Sequence, residues 1–478
     1  MTDAERALGE YVGKIRAMSP DEMDLAAVEC EVRALTEARG RELMAEAMKR
    51  ADTAAPEVEI DGTRWGNRRV SRGEYHTMFG VVHLERSTYQ QAGRGRVAVP
   101  LDLRLGIVEG RYTPKMARVL TRTIAITTEE EGAAFLAELG TAMVSSSTLN
   151  RTPRAMAARY ETRRNVIDVA LREQAVIPDG AVTIQVGIDG VMVPQDGEHA
   201  RPRGRKTDSP DPPRYEQRYG PVGIDAPAAT DGNEGRAWHE ASVGTIAFFD
   251  AEGRRLDTIY LGRMPEPRKA TLVEQLEAEM LSVLAERPTM NVVFASDGAE
   301  AHWTILDAMR ARAAAICCGD MMQLVDAFHV AEYVQEAADA IEGAGSSEAA
   351  ILAATWRETM KEKPGGAETV LRSMRALRPR AAKPNELDEA VGYIATQHAM
   401  GRMNYADARI RNYPIGTGIT EAAAKTVVGT RMKRAGARFS QHGGQTILLF
   451  RTALLSDRFD ALHDELRSTY TARLKCAA

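Results

Sequence analysis

The stretch VTIQVGIDGVMV occupies residues 182–193 and decides the fold expected for this chain. Its apolar and β-branched residues run on without alternation, which predicts a strand buried on both faces at the centre of a sheet. One carboxylate, Asp189, interrupts the run. Such a carboxylate is costly unless it is paired or bound to a metal ion. The alternative is an Asp-Gly turn in a hairpin, which the apolar residues on both sides disfavour.

The strands and helices predicted after this stretch complete an α/β core. Their order is three strands, a helix, a strand, a helix, another strand, and then a helix that bears an acid. That order is the one of the RNase H-like fold, in which the first and fourth strands are neighbours. The fourth strand ends on Asp297, so Asp189 and Asp297 are expected to lie side by side. The predicted strands are 182–193, 240–249, 256–261, 290–297 and one within 315–327, and the predicted helices are 270–286 and 302–312.

Residues 415–440 read IGTGITEAAAKTVVGTRMKRAGARFS and supply the third acid, Glu421. The Thr420 hydroxyl is expected to open a helix of strong helix formers that stops at Gly436. On that helix Glu421 and Lys425 stand at i and i+4, on one face. The stretch alone leaves two interpretations, a Glu–Lys pair on a solvated helix or an acid that holds a divalent cation beside bases that hold phosphates. The candidate bases are Lys425, Arg431, Lys433 and Arg434.

Three convergent carboxylates would form a centre for phosphoryl transfer. Asp189, Asp297 and Glu421 can hold two Mg²⁺ (or Mn²⁺) ions about 4 Å apart. One ion would activate water or a 3′-hydroxyl, and the other would stabilise the leaving oxygen. The glycines that follow the two aspartates, Gly190 and Gly298, are expected to let a DNA backbone come close.

Charge is distributed unevenly along the chain. The formal net charge is −5, yet residues 61–165 carry 17 Lys or Arg against 10 Asp or Glu. Residues 409–440 carry 7 basic residues against a single acid. Two basic regions far apart on an acidic protein indicate a polyanionic partner that is contacted at two places. The alternative is a solvated surface with no specific partner.

The first of these basic regions has two parts. Residues 56–100 predict a small antiparallel β-module with interleaved arginines and aromatics, which suits contact with a DNA backbone. Residues 114–160 predict helices around a turn at Gly140, a pattern typical of a helix-turn-helix whose segment Ser145–Asn150 meets base edges. The candidate DNA-binding residues of this region are Arg68, Arg69, Arg151 and Arg154.

These patterns predict an α/β protein of several domains, with an RNase H-like catalytic domain after an α+β DNA-binding region. A break near Ser19-Pro20 divides the first predicted helical segment, and a Pro- and Gly-rich loop covers 196–236. A single final helix is predicted from 445 to 475. The predicted domains are an N-terminal helical arm (1–55), a basic DNA-binding region (56–165), the first part of the core (180–342), an all-helical insertion (343–412) and the C-terminal helices of the core (413–478).

Cysteine usage and hydropathy exclude several classes of protein. The four cysteines, at positions 30, 317, 318 and 476, form no CxxC pair, so a disulfide framework or a cysteine zinc site is not expected. No run approaches about 18 apolar residues, and the acidic start is unlike a signal peptide. We therefore expect a cytoplasmic protein with no membrane partner.

Several of these motifs resemble a known family. The 415–440 stretch, GRMNYADARIRNYPIGTG at 401–418 and GGQTILLFRTALLSDRFD at 443–460 closely resemble the Kra group of bacterial insertion-sequence transposases, within the Mutator-like DDE class. VGIDGVMV and FASDGA resemble the first and second aspartate motifs of that group. LVDAFHVAEYV resembles its Asp-x-x-His segment. The similarity covers roughly residues 180–465.

The resemblance implies a DNA transposase that cuts transposon ends and joins them to target DNA. Its catalytic and metal-binding triad would be Asp189, Asp297 and Glu421, with Asp326 and His329 near the active site and steering the DNA strand. For His329 a core or capping role is the alternative. The class also implies double-stranded DNA with terminal inverted repeats as substrate, and a homodimer or larger assembly. Relatives often carry a cysteine zinc module near the N-terminus, which this chain lacks.

Two other functions stay open at this point. A domesticated, sequence-specific DNA-binding regulator would keep the basic region without needing the acids. An RNase H-like nuclease would use the acids to cut DNA without strand transfer. Substitution of Asp297 separates the regulator from both enzymes, and product analysis separates the two enzymes.

Overall fold

A computed structural model describes residues 2–91, 95, 97–140, 144–196 and 236–476. These residues form a mixed α/β protein with two five-stranded sheets. The chain divides into two compact units, Met1–Ala170 with Phe459–Ala478, and Leu171–Arg458. The break predicted in the first helical segment is present between helices α1 (Asp3–Ala17) and α2 (Leu25–Lys49). Most of the predicted 196–236 loop lies outside the described residues.

The smaller unit contains the predicted antiparallel β-module. Its sheet has the order β10-β1-β2-β3-β4, and a long hairpin of β2 and β3 forms its centre. Met48 of α2 packs with Tyr75 and Leu84 beneath the hairpin. The Tyr75 hydroxyl donates to Asp102 Oδ1 at 2.6 Å. The strands are β1 (Val58–Ile60), β2 (Thr63–Thr77), β3 (Gly80–Gln90), β4 (Val97–Ala98) and β10 (Leu474–Cys476).

The helices predicted around Gly140 are also present. Gly140 has a φ of +62° and follows the end of a short helix, as expected for a glycine that ends a helix. The next helix begins at Ser146 and extends for 28 residues. The helices of this part of the chain are α3 (Pro100–Leu105), α4 (Pro114–Ile126), α5 (Glu129–Glu138) and α6 (Ser146–Glu173).

The sheet of the larger unit has the order β7-β6-β5-β8-β9. β5 runs without a turn through Asp189 and Gly190, so the hairpin alternative for this stretch is wrong. It pairs in parallel with β8, as expected for the first and fourth strands. Ile184 and Phe294 are fully buried at the sheet centre. The strands are β5 (Thr183–Asp196), β6 (Arg236–Phe249), β7 (Arg255–Arg263), β8 (Asn291–Ser296) and β9 (Met321–Val325).

Helices cover this sheet and fill the chain between β9 and Glu421. The helical segment 327–410 shares one hydrophobic core with the sheet, as Trp356 and Leu387 pack in the same cluster as Phe294. Its helices are α9 (Ala327–Glu342), α10 (Ser347–Glu362), α11 (Gly366–Leu377), α12 (Pro384–Ala399) and α13 (Tyr405–Ile410). The helices before it are α7 (Ala270–Glu286) and α8 (Glu300–Ala313).

The helix that bears Glu421 is short and irregular. α14 (Gly418–Ala423) continues as a π-helical segment, Ala424–Gly429, and ends with a turn at Thr430–Met432. It therefore stops before Gly436, where the sequence predicted its end.

The single helix predicted at 445–475 is wrong. The chain forms α15 (Gln441–Leu455) and α16 (Phe459–Ser468), separated at Asp457, whose φ is +53°. It then forms β10, which pairs with β1. Residues from Phe459 onward belong to the smaller unit, and the larger unit ends at Arg458. No helix among the described residues is long and apolar enough to cross a membrane.

Candidate active site

Asp189 lies on β5, and Asp297 is the residue directly after the neighbouring strand β8. Gly187 of β5 pairs with Ala295 of β8 in parallel register. Asp189 is two residues beyond Gly187 within β5, and Asp297 is two residues beyond Ala295, directly after β8. The negative charge of Asp297 acts on the Asp189 carboxyl. The sheet thus brings together the two acids that the sequence singled out.

Glu421 is held to the same sheet through the residue before it. The Thr420 hydroxyl lies 2.7 Å from Thr245 Oγ1 of β6. A Cβ at Gly187 would overlap the Thr420 hydroxyl, so only a glycine lets α14 approach this closely. Gly187 and Asp189 share a face of β5. The helix that carries Glu421 is therefore fixed above the face from which Asp189 projects.

The predicted role of Thr420 as a helix cap is wrong. Thr417 precedes the helix, and Thr420 is 1 % exposed in its first turn. The Thr417 N–H donates to Asp326 Oδ2 at 3.2 Å, and the Thr417 hydroxyl also donates to it. Asp326 Oδ1 accepts the Phe328 N–H at 2.7 Å. Asp326, predicted to steer a DNA strand, instead uses both carboxylate oxygens to hold the chain where α9 and α14 begin.

Asp189 is affected by the charges of the other two acids. Burial is the main cause that raises the pKa of the Asp189 carboxyl, and the negative charges of Asp297 and Glu421 raise it further. A hydrogen bond from the Gly190 N–H to Asp189 Oδ1, 2.7 Å long, opposes this shift. Negative charge is thus concentrated around Asp189.

Asp297 is kept ionised by donors. Burial works to raise the pKa of Asp297, but hydrogen bonds outweigh it and lower this pKa to about 2. His302 Nδ1 lies 3.2 Å from Asp297 Oδ1, and the Ala299 N–H donates to the same oxygen at 3.1 Å. Ser296 Oγ also donates to it, at 3.2 Å.

His302 was missed in the sequence, although its position gives a signal. A helix that starts soon after a strand brings its first turn back towards the strand end. His302, five residues after Asp297, lies in that first turn of α8 and is 6 % exposed. The neighbouring Trp303 donates its indole N–H to the Asp297 carbonyl oxygen at 2.7 Å. The start of α8 thus holds both the backbone and the carboxylate of Asp297.

Comparisons of this chain with protein-family models, curated proteins and solved structures found no match. The resemblance to the Kra group rests on the motifs quoted above.

Glu421 forms the ion pair that its spacing predicted. Lys425 Nζ contacts Glu421 Oε1, and both side chains are more than half exposed. Within the described ranges, no three His, Cys, Asp or Glu side chains are arranged to hold a metal ion. The donor set still suits a hard divalent cation, because carboxylate oxygens are its preferred ligands. A cation between the acids would offset the charge that is felt at Asp189, and Glu421 would exchange Lys425 for it.

The bases after Glu421 differ in exposure. Lys433 and Arg434 are exposed, as Lys425 is. Arg431 is only 2 % exposed, so its placement is not that of a surface phosphate contact. Arg431 therefore does not belong with the exposed bases that could bind DNA. It lies on the inner face of the turn that ends the helix.

The space beside each of the two predicted glycines is occupied by the chain itself. A Cβ at Gly190 would overlap the Glu240 carboxylate, which also contacts Lys269. A Cβ at Gly298 would overlap the Tyr393 ring and hydroxyl. These glycines accommodate side chains of the protein, and the predicted approach of a DNA backbone does not fit this arrangement.

His329 lies beside this tyrosine. Its ring meets Tyr393 edge-on at 5.9 Å and Tyr333 at 5.4 Å between centroids. Its Nδ1 lies 3.1 Å from Glu332 Oε2, and its side chain is 37 % exposed. His329 is thus neither a core residue nor a helix cap, and it stands next to the aromatic residues that border Gly298.

The four arginines predicted to bind DNA from the first basic region lie in the smaller unit. Arg68 and Arg69 are exposed on β2, next to an irregular register between Gly66 and Arg69. The Arg68 Nε donates to Ser87 Oγ at 3.1 Å. On α6, Arg151 is exposed and Arg154 is half-buried.

Proposed function

We propose that this chain is a DDE-type DNA transposase that cuts transposon ends and joins them to target DNA. The observation that carries the proposal is that Asp189 lies on β5 and Asp297 directly follows its parallel neighbour β8, with the Glu421 helix packed on the same sheet. The strand order β7-β6-β5-β8-β9 is the one expected of an RNase H-like core. In this proposal the helical segment before Glu421 is the insertion of that core.

Two Mg²⁺ or Mn²⁺ ions held by the three acids would activate the attacking oxygen and stabilise the leaving one. Other residues of the chain orient the acids for this chemistry. His302 and the first turn of α8 hold Asp297 ionised and oriented. Thr420 and Gly187 fix the height of Glu421 above the sheet. Asp189 is partly buried, which strengthens the electrostatic interactions that reach its carboxyl group.

The exposed bases would bind the DNA backbone. Lys433 and Arg434 follow the Glu421 helix, are exposed, and would meet phosphates near the reacting one. Lys425 would move from Glu421 to a phosphate when cations bind. Arg68, Arg69, Arg151 and Arg154 of the smaller unit would contact the terminal repeats. A homodimer or larger assembly would hold two ends together.

The Glu421–Lys425 pair favours one alternative, a DNA-binding regulator without chemistry. In a regulator this pair would be a stabilising contact on a basic helix. The acid cluster argues against it, because the charges of Asp297 and Glu421 disfavour the ionised form of Asp189, a cost that serves nothing in a protein that only binds DNA.

Product analysis tests the proposal. The purified chain is incubated with labelled DNA that carries candidate terminal repeats, a target plasmid and Mg²⁺ or Mn²⁺. We expect metal-dependent nicks at the repeat ends, followed by joined products. Cleavage without joining would identify a nuclease. Binding with no cleavage of any tested end, in the wild type as in Asp297→Ala, would identify a regulator.

A further inference from the structure

Tyr393 of α12 reaches the second acid of the site from the helical segment. Its ring lies over Gly298, the residue that follows Asp297, in the space that a side chain there would fill. Tyr333 of α9 stacks behind it with centroids 3.8 Å apart and an angle of 14° between the rings. The stacked pair of Tyr333 and Tyr393 therefore joins α9 and α12 beside the turn that follows β8.

The hydroxyl of Tyr393 is enclosed and has no hydrogen-bond partner among the described residues. A buried hydroxyl left without a partner costs about 1–3 kcal/mol, and a phenylalanine would fill the same space without that cost. Packing therefore explains why an aromatic ring stands at position 393, but it does not explain why the ring carries a hydroxyl. Buried polar groups without a partner are expected mainly at functional sites.

The acceptor for this hydroxyl can be found by elimination among its charged neighbours, Asp297, Asp326 and Glu332. Both oxygens of Asp326 already accept hydrogen bonds. The Glu332 side chain is 72 % exposed and contacts His329. Asp297 Oδ1 has three donors, whereas no described residue donates to Asp297 Oδ2.

We propose that Tyr393 is a positioning residue for Asp297, and that its hydroxyl donates to Asp297 Oδ2 when this carboxylate turns to bind a divalent cation. The proposal rests on the proposed function, because it takes Asp297 as a cation ligand. It also assigns a role to the helical segment, since the Tyr333–Tyr393 stack fixes the position of the hydroxyl that donates the hydrogen bond. Partners that orient a ligating carboxylate typically contribute about 10–100-fold in metal affinity.

Titration of the metal-free protein with Mn²⁺, followed by calorimetry, tests this role without DNA. In Tyr393→Phe we expect an affinity for Mn²⁺ about 10-fold lower than in the wild type. The melting temperature should stay the same or rise, because the variant loses only an unpaired buried hydroxyl.

Tyr405→Phe is the matched control. The Tyr405 hydroxyl is also buried, but it donates to the Val325 carbonyl oxygen at 2.9 Å. Its loss should lower the melting temperature and leave the Mn²⁺ affinity unchanged. The two variants thus separate a hydroxyl that serves the cation site from one that serves the fold.

Three results would overturn the proposal. They are an unchanged Mn²⁺ affinity in Tyr393→Phe, a loss of affinity accompanied by a loss of stability as large as in Tyr405→Phe, and a wild type that binds no Mn²⁺. If the wild type binds Mn²⁺ and cuts no DNA, the proposed transposase activity fails, while the role of Tyr393 is still decided by the affinities.

Discussion

The Thr420 hydroxyl lies against the backbone of Gly187, in the space that any side chain at position 187 would occupy. Gly187 is two residues before Asp189, and Thr420 directly precedes Glu421. One contact therefore sets the separation between the first and third acids of the candidate site. The irregular helix after Glu421 is anchored at this point, on β5 and β6 together.

Gly187→Ala should disable the site by moving α14 away from the sheet. The added Cβ would overlap the Thr420 hydroxyl and lie 3.3 Å from Thr245 Oγ1. Overpacking of this kind costs about 1–3 kcal/mol, so we expect a lower midpoint of urea unfolding and little metal-dependent DNA cleavage. The double variant Gly187→Ala/Thr420→Ala should regain part of the stability.

Gly392→Ala provides the control for this substitution. Gly392 lies within α12, and a Cβ there would meet no atom within 4 Å. Alanine is the better helix former, by about 1 kcal/mol, so this variant should be as stable as the wild type or more stable. Equal stability and activity of Gly187→Ala and Gly392→Ala would contradict the importance of the Gly187–Thr420 contact.

Asp189→Asn and Asp297→Asn should change stability in opposite directions at neutral pH. Asp189 has a raised pKa in the folded state, so the folded protein loses stability as pH rises above the unfolded value of 3.8. Asp189→Asn removes this loss and should stabilise the metal-free protein at pH 7 by about 1 kcal/mol. The gain should vanish below pH 3.8, where both states are protonated.

The pKa of Asp297 is shifted in the opposite direction, so Asp297→Asn should have the opposite effect on stability. Its folded-state pKa of about 2 lies below the unfolded value of 3.8, so its contribution is present above pH 3.8 and is lost as pH falls through about 2. Asp297→Asn should therefore destabilise the protein at pH 7. Urea unfolding at pH 7 measures both effects; at pH 3.5 the gain from Asp189→Asn should be nearly gone, whereas most of the loss from Asp297→Asn should persist. Stabilisation by both variants, or by neither, would show that the charges are not distributed as described.

Asp326→Ala should destabilise the protein by about 1–3 kcal/mol. It leaves the buried Thr417 N–H and the Phe328 N–H without their acceptor. Asp326→Asn keeps one acceptor oxygen and should lose less. Thermal unfolding measures the loss, and a DNA titration accompanies it. Normal stability with weakened DNA binding would instead support the role in steering DNA that the sequence predicted.

Lys433→Ala and Arg431→Ala should separate DNA binding from stability. Lys433 is exposed, so its loss should leave stability within about 0.5 kcal/mol and reduce the salt dependence of DNA binding by about one phosphate contact. Arg431 is 2 % exposed, and truncation of its buried stem should cost about 2–5 kcal/mol. An Arg431→Ala variant that is fully stable and binds DNA weakly would restore Arg431 to the binding set.

The sequence predicted those parts of the fold that depend on local patterns. The unbroken apolar run around Asp189 was enough to identify a central strand, and the run that ends at Asp297 identified a second buried strand. Helix spacing also predicted the Glu421–Lys425 contact. In each case the signal lies in residues that are adjacent or one helical turn apart.

Contacts between distant segments could not be predicted in this way. Thr420 looked like a cap because hydroxyls favour helix starts, but its partners, Thr245 and Gly187, are far away in the sequence. Gly298 gave no indication that Tyr393 fills the space beside it. The break at Asp457 needs a positive φ at a residue other than glycine, which the apolar pattern of the last helix does not reveal.

The central claim is that Asp189, Asp297 and Glu421 act together with divalent cations on DNA. Its most direct measurement is the rate of Mn²⁺-dependent cleavage of terminal-repeat DNA by the wild type and by Glu421→Gln, with DNA binding measured for both. We expect the wild type to cut at the repeat ends, and Glu421→Gln to bind the same DNA and cut it at least about 100-fold more slowly. Equal cleavage rates for the two proteins would contradict the claim.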